Sequence, residues 1–154
     1  MAYWLFKSEP DTFSLDDLQR LGRSPWDGVR NYQARNYLRV MKPGDEGLFY
    51  HSRVDPPGVV GRCRVVSDPR PDLTALDPKS KYYDPKATPE DPRWSLVDVE
   101  YVEHFPQLLS LDELRAAQGL ESMLVTRKGN RLSITPVDPK EWKVVLKLAG
   151  KKSR

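Results

Sequence analysis

The chain has 154 residues, enough for one domain with a substantial buried core; its 38% apolar and 31% charged residues are not a disordered composition, and no apolar run approaches the roughly 18 residues of a membrane span. The net charge is only +3, and four cations of the terminal "KLAGKKSR" (Lys147, Lys151, Lys152 and Arg154) exceed it, so any anion-binding role needs local clustering rather than bulk charge. A single cysteine, Cys63, excludes an internal disulfide framework, and two histidines far from it make no metal site of the usual kind. Lys7, Glu9 and Asp11 interrupt the first apolar run, so no secretory leader is expected and the compartment is expected to be reducing and cytoplasmic.

The opening "YWLFKSEP" predicts a strand from Tyr3 to Lys7, apolar on both faces and therefore central. "SLDDLQRL" predicts a short helix with Ser14 as N-cap and Asp17 closing a capping box. "GRSPWDG" reads as loop. Asn31 to Met41 then predicts a helix whose buried stripe is Ala34, Leu38 and Met41, with Arg35 and Arg39 together on another face. "KPGD" is a turn.

"EGLFYHS" and "GVVGRCRVVSD" are strand candidates; in the second, alternation puts Val59, Cys63 and Val65 on one face and Arg62 and Arg64 on the other. The proline-rich excursion at 68–94 contains Tyr82, Tyr83 and Trp94, a content that suits an ordered, functional loop. "SLVDVEYVEHF" is the clearest strand. "SLDELRAA" is a second capped helix, Ser110 with Glu113. "NRLSITPV" is a short strand, and "DPKEWKVVLKLA" a closing helix with Asp138 as N-cap and Pro139 at its first position. The domain is expected to cover 1–149, followed by a frayed basic tail at 150–154. The count is about five short strands with small helices and no βαβ rhythm, which fits a small mixed barrel.

Chemistry is sparse. His51 beside Ser52 places no triad, and there is no glycine-rich phosphate loop. Lys7, at the end of a buried strand, is expected to contact a ligand or form an ion pair rather than act as a base. Trp26, Tyr82 and Tyr83 lie outside the core periodicity and near cations. Rings of this kind either staple loops to the barrel or stack on bases beside phosphate contacts.

The segments "YWLFKSEPDTFSLDDL", "WDGVRNYQARNYLRVMKPGD", "FYHS", "PPGVVG", "TALDPKSKYYDPK", "PRWSLVDVEY" and "RLSITPV" with "EW" resemble, in order, the EVE domain family, from Ala2 to about Leu148. That resemblance implies an α+β fold: a PUA-like mixed β pseudobarrel of five to six strands flanked by short helices. It further implies a cleft for a flipped, modified base, with 5-methylcytosine or an oxidised form as candidates. Carried over by motif, the ligand-binding residues would be Lys7, Ser8, Trp26, Val29, Arg30, Asn31, His51, Ser52, Tyr82, Tyr83, Asp84, Arg131 and Ser133. In this account Trp26 stacks on the base and is dispensable for stability. Asn31 or Ser8 meets the base edge, and Lys7, Arg30 and Arg131 hold phosphate or close the cleft. The implied protein is a monomeric nucleic-acid-binding module, DNA favoured over RNA, with no cofactor, no metal, no membrane and no catalytic residue. Two other classes remain: an amidohydrolase acting on an acylated nucleoside, and an RNA-binding or protein-adaptor module.

Overall fold

Strand β1 (Tyr3–Ser8) carries alternate side chains to two different cores, Trp4 and Phe6 to one and Leu5 to the other, in the computed structural model, which describes residues 1–152. This is the two-sided burial expected of that segment. Around it, α1 (Leu15–Leu21), β2 (Arg23–Pro25), α2 (Tyr32–Val40), β3 (Glu46–His51) and β4 (Gly58–Val65) follow in the chain. After these come β5 (Arg70–Pro71), β6 (Ser95–Leu96), β7 (Asp98–Ser110), α3 (Leu111–Ala116), β8 (Ile134–Val137) and α4 (Pro139–Lys152). Six strands form one mixed sheet in the order β2-β7-β4-β3-β1-β8, curled into a half-barrel, while β5 and β6 form a separate two-stranded ribbon. β1 runs parallel to β3 and antiparallel to β8. The expected α+β, PUA-like pseudobarrel is therefore the observed architecture.

The first core lies between the sheet and the helices α1 and α2; Ala34, Leu38 and Met41 are all buried in it. The second lies on the opposite face, where α3 and α4 bring Leu114, Trp142 and Val145 against Leu5 and Leu48. Both predicted capping boxes form: Ser14 with Asp17 starts α1, and Ser110 with Glu113 starts α3. The "KPGD" turn hides a hub. Asp45, 4% exposed, accepts hydrogen bonds from the Ala2 and Lys42 backbone amides and from the Trp4 indole, tying the start of β1 to β3.

Three expectations differ from the structure. "GRSPWDG" contains β2, an edge strand paired antiparallel with β7, its proline at the end where no ladder donor is needed. Val59 does not share a face with Cys63 and Val65: register shifts in the β3–β4 and β4–β7 ladders insert an extra residue, so Val59 enters the second core while the other two enter the first. The tail expected to fray from 150 is helical at its start. Helix α4 runs to Lys152, with Leu148 packed on the second core and Ala149 buried in it. Of the expected tail, Ser153 and Arg154 lie outside the described residues.

Candidate nucleic-acid interface

A cleft of about 570 Å³ opens at the carboxyl end of β1. That size lies within the range of roughly 300–1,000 Å³ usual for small-molecule sites. β1 supplies Lys7 and Ser8, and the turn after it supplies Glu9, Thr12 and Phe13. Ser133 enters from the approach to β8, where its carbonyl accepts the Lys7 amide at 2.8 Å. The link between β2 and α2 contributes Trp26 to Arg30, and the 68–94 excursion contributes Lys81 and Tyr82.

The link is fixed by its backbone. The Trp26 amide donates to the Val97 carbonyl at 2.8 Å, and the Gly28 amide to a carboxylate oxygen of Asp72 at 2.8 Å. Asp72 is fully buried and also meets the Arg30 guanidinium at 3.0 Å. Burial alone would raise its pKa. The hydrogen bonds from Thr74, Gly28 and Arg30 together outweigh burial and hold the carboxyl below its usual range. Gly28 has φ +79°, and a Cβ there would lie 2.5 Å from the Tyr82 ring, so the ring packs directly on the glycine. Arg30 pins the same tyrosine from behind: Nε and Nη2 both donate to the Tyr82 carbonyl, at 2.9 and 2.8 Å, Nη1 to Asp72, and Nη2 also to Thr74.

Arg30 is thus a cleft-lining strut whose donors are already engaged, not a free phosphate clamp. Trp26 is 7% exposed and belongs to the first core, edge-on to Phe6 at 5.1 Å and to Phe49 at 5.5 Å. It is both wall and core, which overturns the expectation that it stands outside the packing. Its indole N–H has no partner among the described residues. No buried side-chain nitrogen or oxygen is left unpaired among the described residues, so that N–H keeps some access to solvent.

Of the thirteen residues expected at the site, the cleft brings together Lys7, Ser8, Trp26, Val29, Arg30, Tyr82 and Ser133. The other six do not line it. Asn31 is the N-cap of α2, its side chain accepting the Ala34 amide at 3.0 Å. Asp84 accepts the Trp94 indole N–H at 2.7 Å and holds the excursion together. Tyr83 and Arg131 are exposed and follow directly on Tyr82 and Asn130 without lining the cleft, and Ser52 lies past the end of β3. His51 is consumed by the fold: its Nε2 accepts the Leu15 amide at 3.2 Å, at the first turn of α1.

Sequence reasoning missed Asp27 and Lys81, although both sit inside stretches rich in the aromatic and basic residues that drew notice. Asp27 is held above the usual carboxylate range, first by burial and then by the nearby Asp72 charge. Lys7 is held below its ordinary pKa by burial, and its Nζ reaches only the Asn130 carbonyl at 3.4 Å and the face of Tyr50. Beside the cleft, Tyr32 stacks on Trp94 at 4.9 Å, and Arg35 lies 4.7 Å over the Tyr32 ring. Arg35 and Arg39 both donate to the Arg93 carbonyl, leaving two cations without carboxylate partners among the described residues.

His51 gives a pH expectation. Burial is the main cause that lowers its pKa below the ordinary 6.5. Between the lowered value and 6.5 the unfolded chain binds more protons, so this contribution is fully present above 6.5 and is lost as pH falls through that window. Thermal melts at pH 7.5 and 5.5 should therefore differ less in His51→Gln, which keeps an acceptor for the Leu15 amide, than in the wild type. An equal or larger difference would mean that another group carries the acid sensitivity.

The chain matches the EVE domain over residues 2–148. It is 42% identical to mouse thymocyte nuclear protein 1 over 166 aligned positions, covering 95% of this chain and 73% of the mouse one. Among solved structures, one from Pseudomonas putida superposes with a TM-score of 0.94 at 51% identity, covering 96% of this chain and 99% of that one. Human THYN1 protein, in complex with 5-methylcytosine containing DNA, superposes with a TM-score of 0.92 at 38% identity, covering 97% and 98% of the two chains.

Proposed function

Since the chain belongs to the EVE domain family, we propose that it is a non-enzymatic reader of modified cytosine in DNA, taking a flipped base into the cleft at the end of β1. The observation that carries this reading is the kinship, along nearly the whole chain, with a human protein crystallised on DNA containing 5-methylcytosine. The cleft is compatible with it in size and lining: apolar Val29 and the Trp26 ring, hydroxyls from Ser8 and Ser133, and charges from Lys7 and Asp27. Flipping costs a few kcal/mol, which a pocket recovers by stacking and edge hydrogen bonds. A pre-fixed cleft spends little of that gain on its own ordering.

The test is a binding panel at fixed salt, with duplexes and RNAs carrying C, 5-methyl-C and 5-hydroxymethyl-C. One methyl buried against Val29 and Trp26 contributes only about 0.8 kcal/mol. Tenfold selectivity needs about 1.4 kcal/mol. The expected preference for 5-methyl-C over C is therefore below tenfold, and Ser8→Ala or Ser133→Ala should weaken only the hydroxymethylated ligand. A hundredfold preference unchanged in Val29→Ala would contradict this account of the wall.

Salt dependence is expected to be shallow. With Arg30 engaged internally, phosphate contacts fall to a few side chains such as Lys81, Arg35 and Arg39, and the logarithmic slope should match about three to four phosphates rather than about ten. A slope near that of a ten-contact protein would place a larger surface on the backbone.

The lowered Lys7 pKa keeps one enzymatic reading in view, hydrolysis of an acylated nucleoside with Lys7 as base. No carboxylate lies within ion-pair reach of Lys7 among the described residues, so its expected positioning partner is missing. Release of the acyl group on incubation, lost in Lys7→Ala, would favour hydrolysis over reading.

A further inference from the structure

A pocket that admits a 5-methyl group meets a selection problem its apolar wall cannot solve. Thymine carries the same methyl on the same ring carbon, and it occurs in every A·T pair. The two bases differ at position 4, an amino donor against a carbonyl acceptor, and at N3, a bare acceptor against an N–H donor. Packing on the methyl senses neither. Rejecting thymine requires an acceptor facing position 4, and a carboxylate is the side chain suited to the cytosine amino group.

The cleft offers few candidates. The hydroxyls of Thr12 and Ser133 donate as readily as they accept, so they meet an amino group and a carbonyl equally well. Those of Ser8 and Ser24 give their protons to the Phe13 and Pro25 carbonyls, at 2.6 and 3.0 Å, and what they leave for a ligand is a neutral acceptor, weaker than a carboxylate. Glu9 is occupied by Arg53, 3.1 Å away. Asp27 differs from all of these. It lines the cleft, is partly buried, and forms no ion pair and no hydrogen bond to another residue among the described residues; its carboxylate meets only its own backbone amide, with Arg30 and Lys81 acting on it from beyond contact. Its neighbours on both sides are fixed, Trp26 through Val97 and Gly28 through Asp72, so the carboxyl is presented from a rigid stretch. An ionised carboxylate only accepts.

We propose that Asp27 is the base-identity reader of the cleft, its carboxylate accepting a hydrogen bond from the N4 amino group of a 5-methylated cytosine and repelling the O4 of thymine. This rests on the cleft being the base-binding site, as set out above. Lys7, which like Lys81 lines the cleft without an ion pair among the described residues, supplies a donor suited to the ring acceptors O2 and N3. Burial and the Asp72 charge already penalise the empty carboxylate, so an incoming amino donor relieves a cost that a carbonyl would deepen.

The experiment is fluorescence anisotropy at pH 7.5 and fixed salt, on one duplex with 5-methyl-C, C or T opposite the same guanine. The mismatched T flips more easily, so the comparison is biased against the proposal. Wild type is expected to prefer 5-methyl-C over T by at least tenfold. Asp27→Asn is expected to bring the two within about threefold, because the rotated amide donates as well as accepts. A third arm needs no variant: a duplex carrying 5-methyl-N4,N4-dimethylcytosine, which keeps the ring methyl and has no amino hydrogen, should bind wild type at least tenfold more weakly than 5-methyl-C. A selective wild type whose preference survives in Asp27→Asn, or undiminished binding of the dimethylated base, overturns the role of Asp27 and leaves the cleft reading standing. Equal affinity of wild type for 5-methyl-C, C and T overturns both.

Discussion

Trp26→Ala is expected to lower the stability of the folded domain by about 3–5 kcal/mol, the usual range for an aromatic removed from a core. The ring is 7% exposed and meets Phe6, Phe13 and Phe49 edge-on, so its loss leaves a void beneath three other rings. A domain of this kind commonly has only about 5–15 kcal/mol in hand. The variant should therefore show a much lower denaturation midpoint, and its loss of binding would say nothing about contact with a base. Trp26→Phe separates the two roles. It keeps a six-membered ring in the core and removes the pyrrole half of the indole with its N–H, so stability should fall by less than in Trp26→Ala while any hydrogen bond from the indole to a ligand is lost outright. If Trp26→Ala melts like the wild type, the ring is a surface group and the packing described above is wrong.

Gly28→Ala is expected to damage the cleft nearly as severely while leaving the two cores untouched. Two independent costs arise at one atom. The backbone has φ +79°, where an L side chain costs roughly 1–3 kcal/mol. The new Cβ would also sit 2.5 Å from the Tyr82 ring, so the ring must swing off the glycine, while the Arg30 bonds to the Tyr82 carbonyl keep the backbone in place. The cleft should lose its Tyr82 wall, binding should weaken, and the melting temperature should fall. Adding Tyr82→Ala should restore part of the stability, because it removes the clash and leaves the backbone strain. Full binding by Gly28→Ala would show that the Tyr82 ring does not rest on this glycine when the protein is free in solution.

How far the sequence disclosed these features depends on the range of the interaction. The capping boxes at Ser14 and Ser110 are read within four residues and were legible, as was the stripe of Ala34, Leu38 and Met41 on α2. The two-sided burial of β1 was legible because both of its faces are apolar. β2 was not: three residues without alternation become a strand only because Arg23 finds Glu100 and Pro25 finds Asp98 in β7. Val59 was misassigned because a register shift belongs to a pair of strands and leaves no mark on either one alone.

The site divides in the same way. Family motifs picked out Lys7, Ser8, Trp26, Val29, Arg30, Tyr82 and Ser133, which the structure brings around one cleft. They also drew in residues that serve the fold next to it, Asn31 capping α2, His51 holding the start of α1 and Asp84 bracing Trp94. A motif marks what is near a site and does not separate the support from the contact. Asp27 was passed over because one acid in an aromatic loop looks like ordinary loop polarity, and only its place in the cleft without an ion pair among the described residues sets it apart.

The bond from the Gly28 amide to buried Asp72 has a consequence for hydrogen exchange. Loop amides ordinarily trade their protons with water almost as fast as an unstructured chain, because opening them costs next to nothing. This amide can exchange only when the Asp72 cluster opens, which also exposes Arg30 and frees the Tyr82 carbonyl. The slow Gly28 proton, in the middle of a connecting segment, should therefore report the integrity of the cleft floor. Its donor is already committed inward, so a ligand entering from the solvent side would lengthen its lifetime without ever touching it.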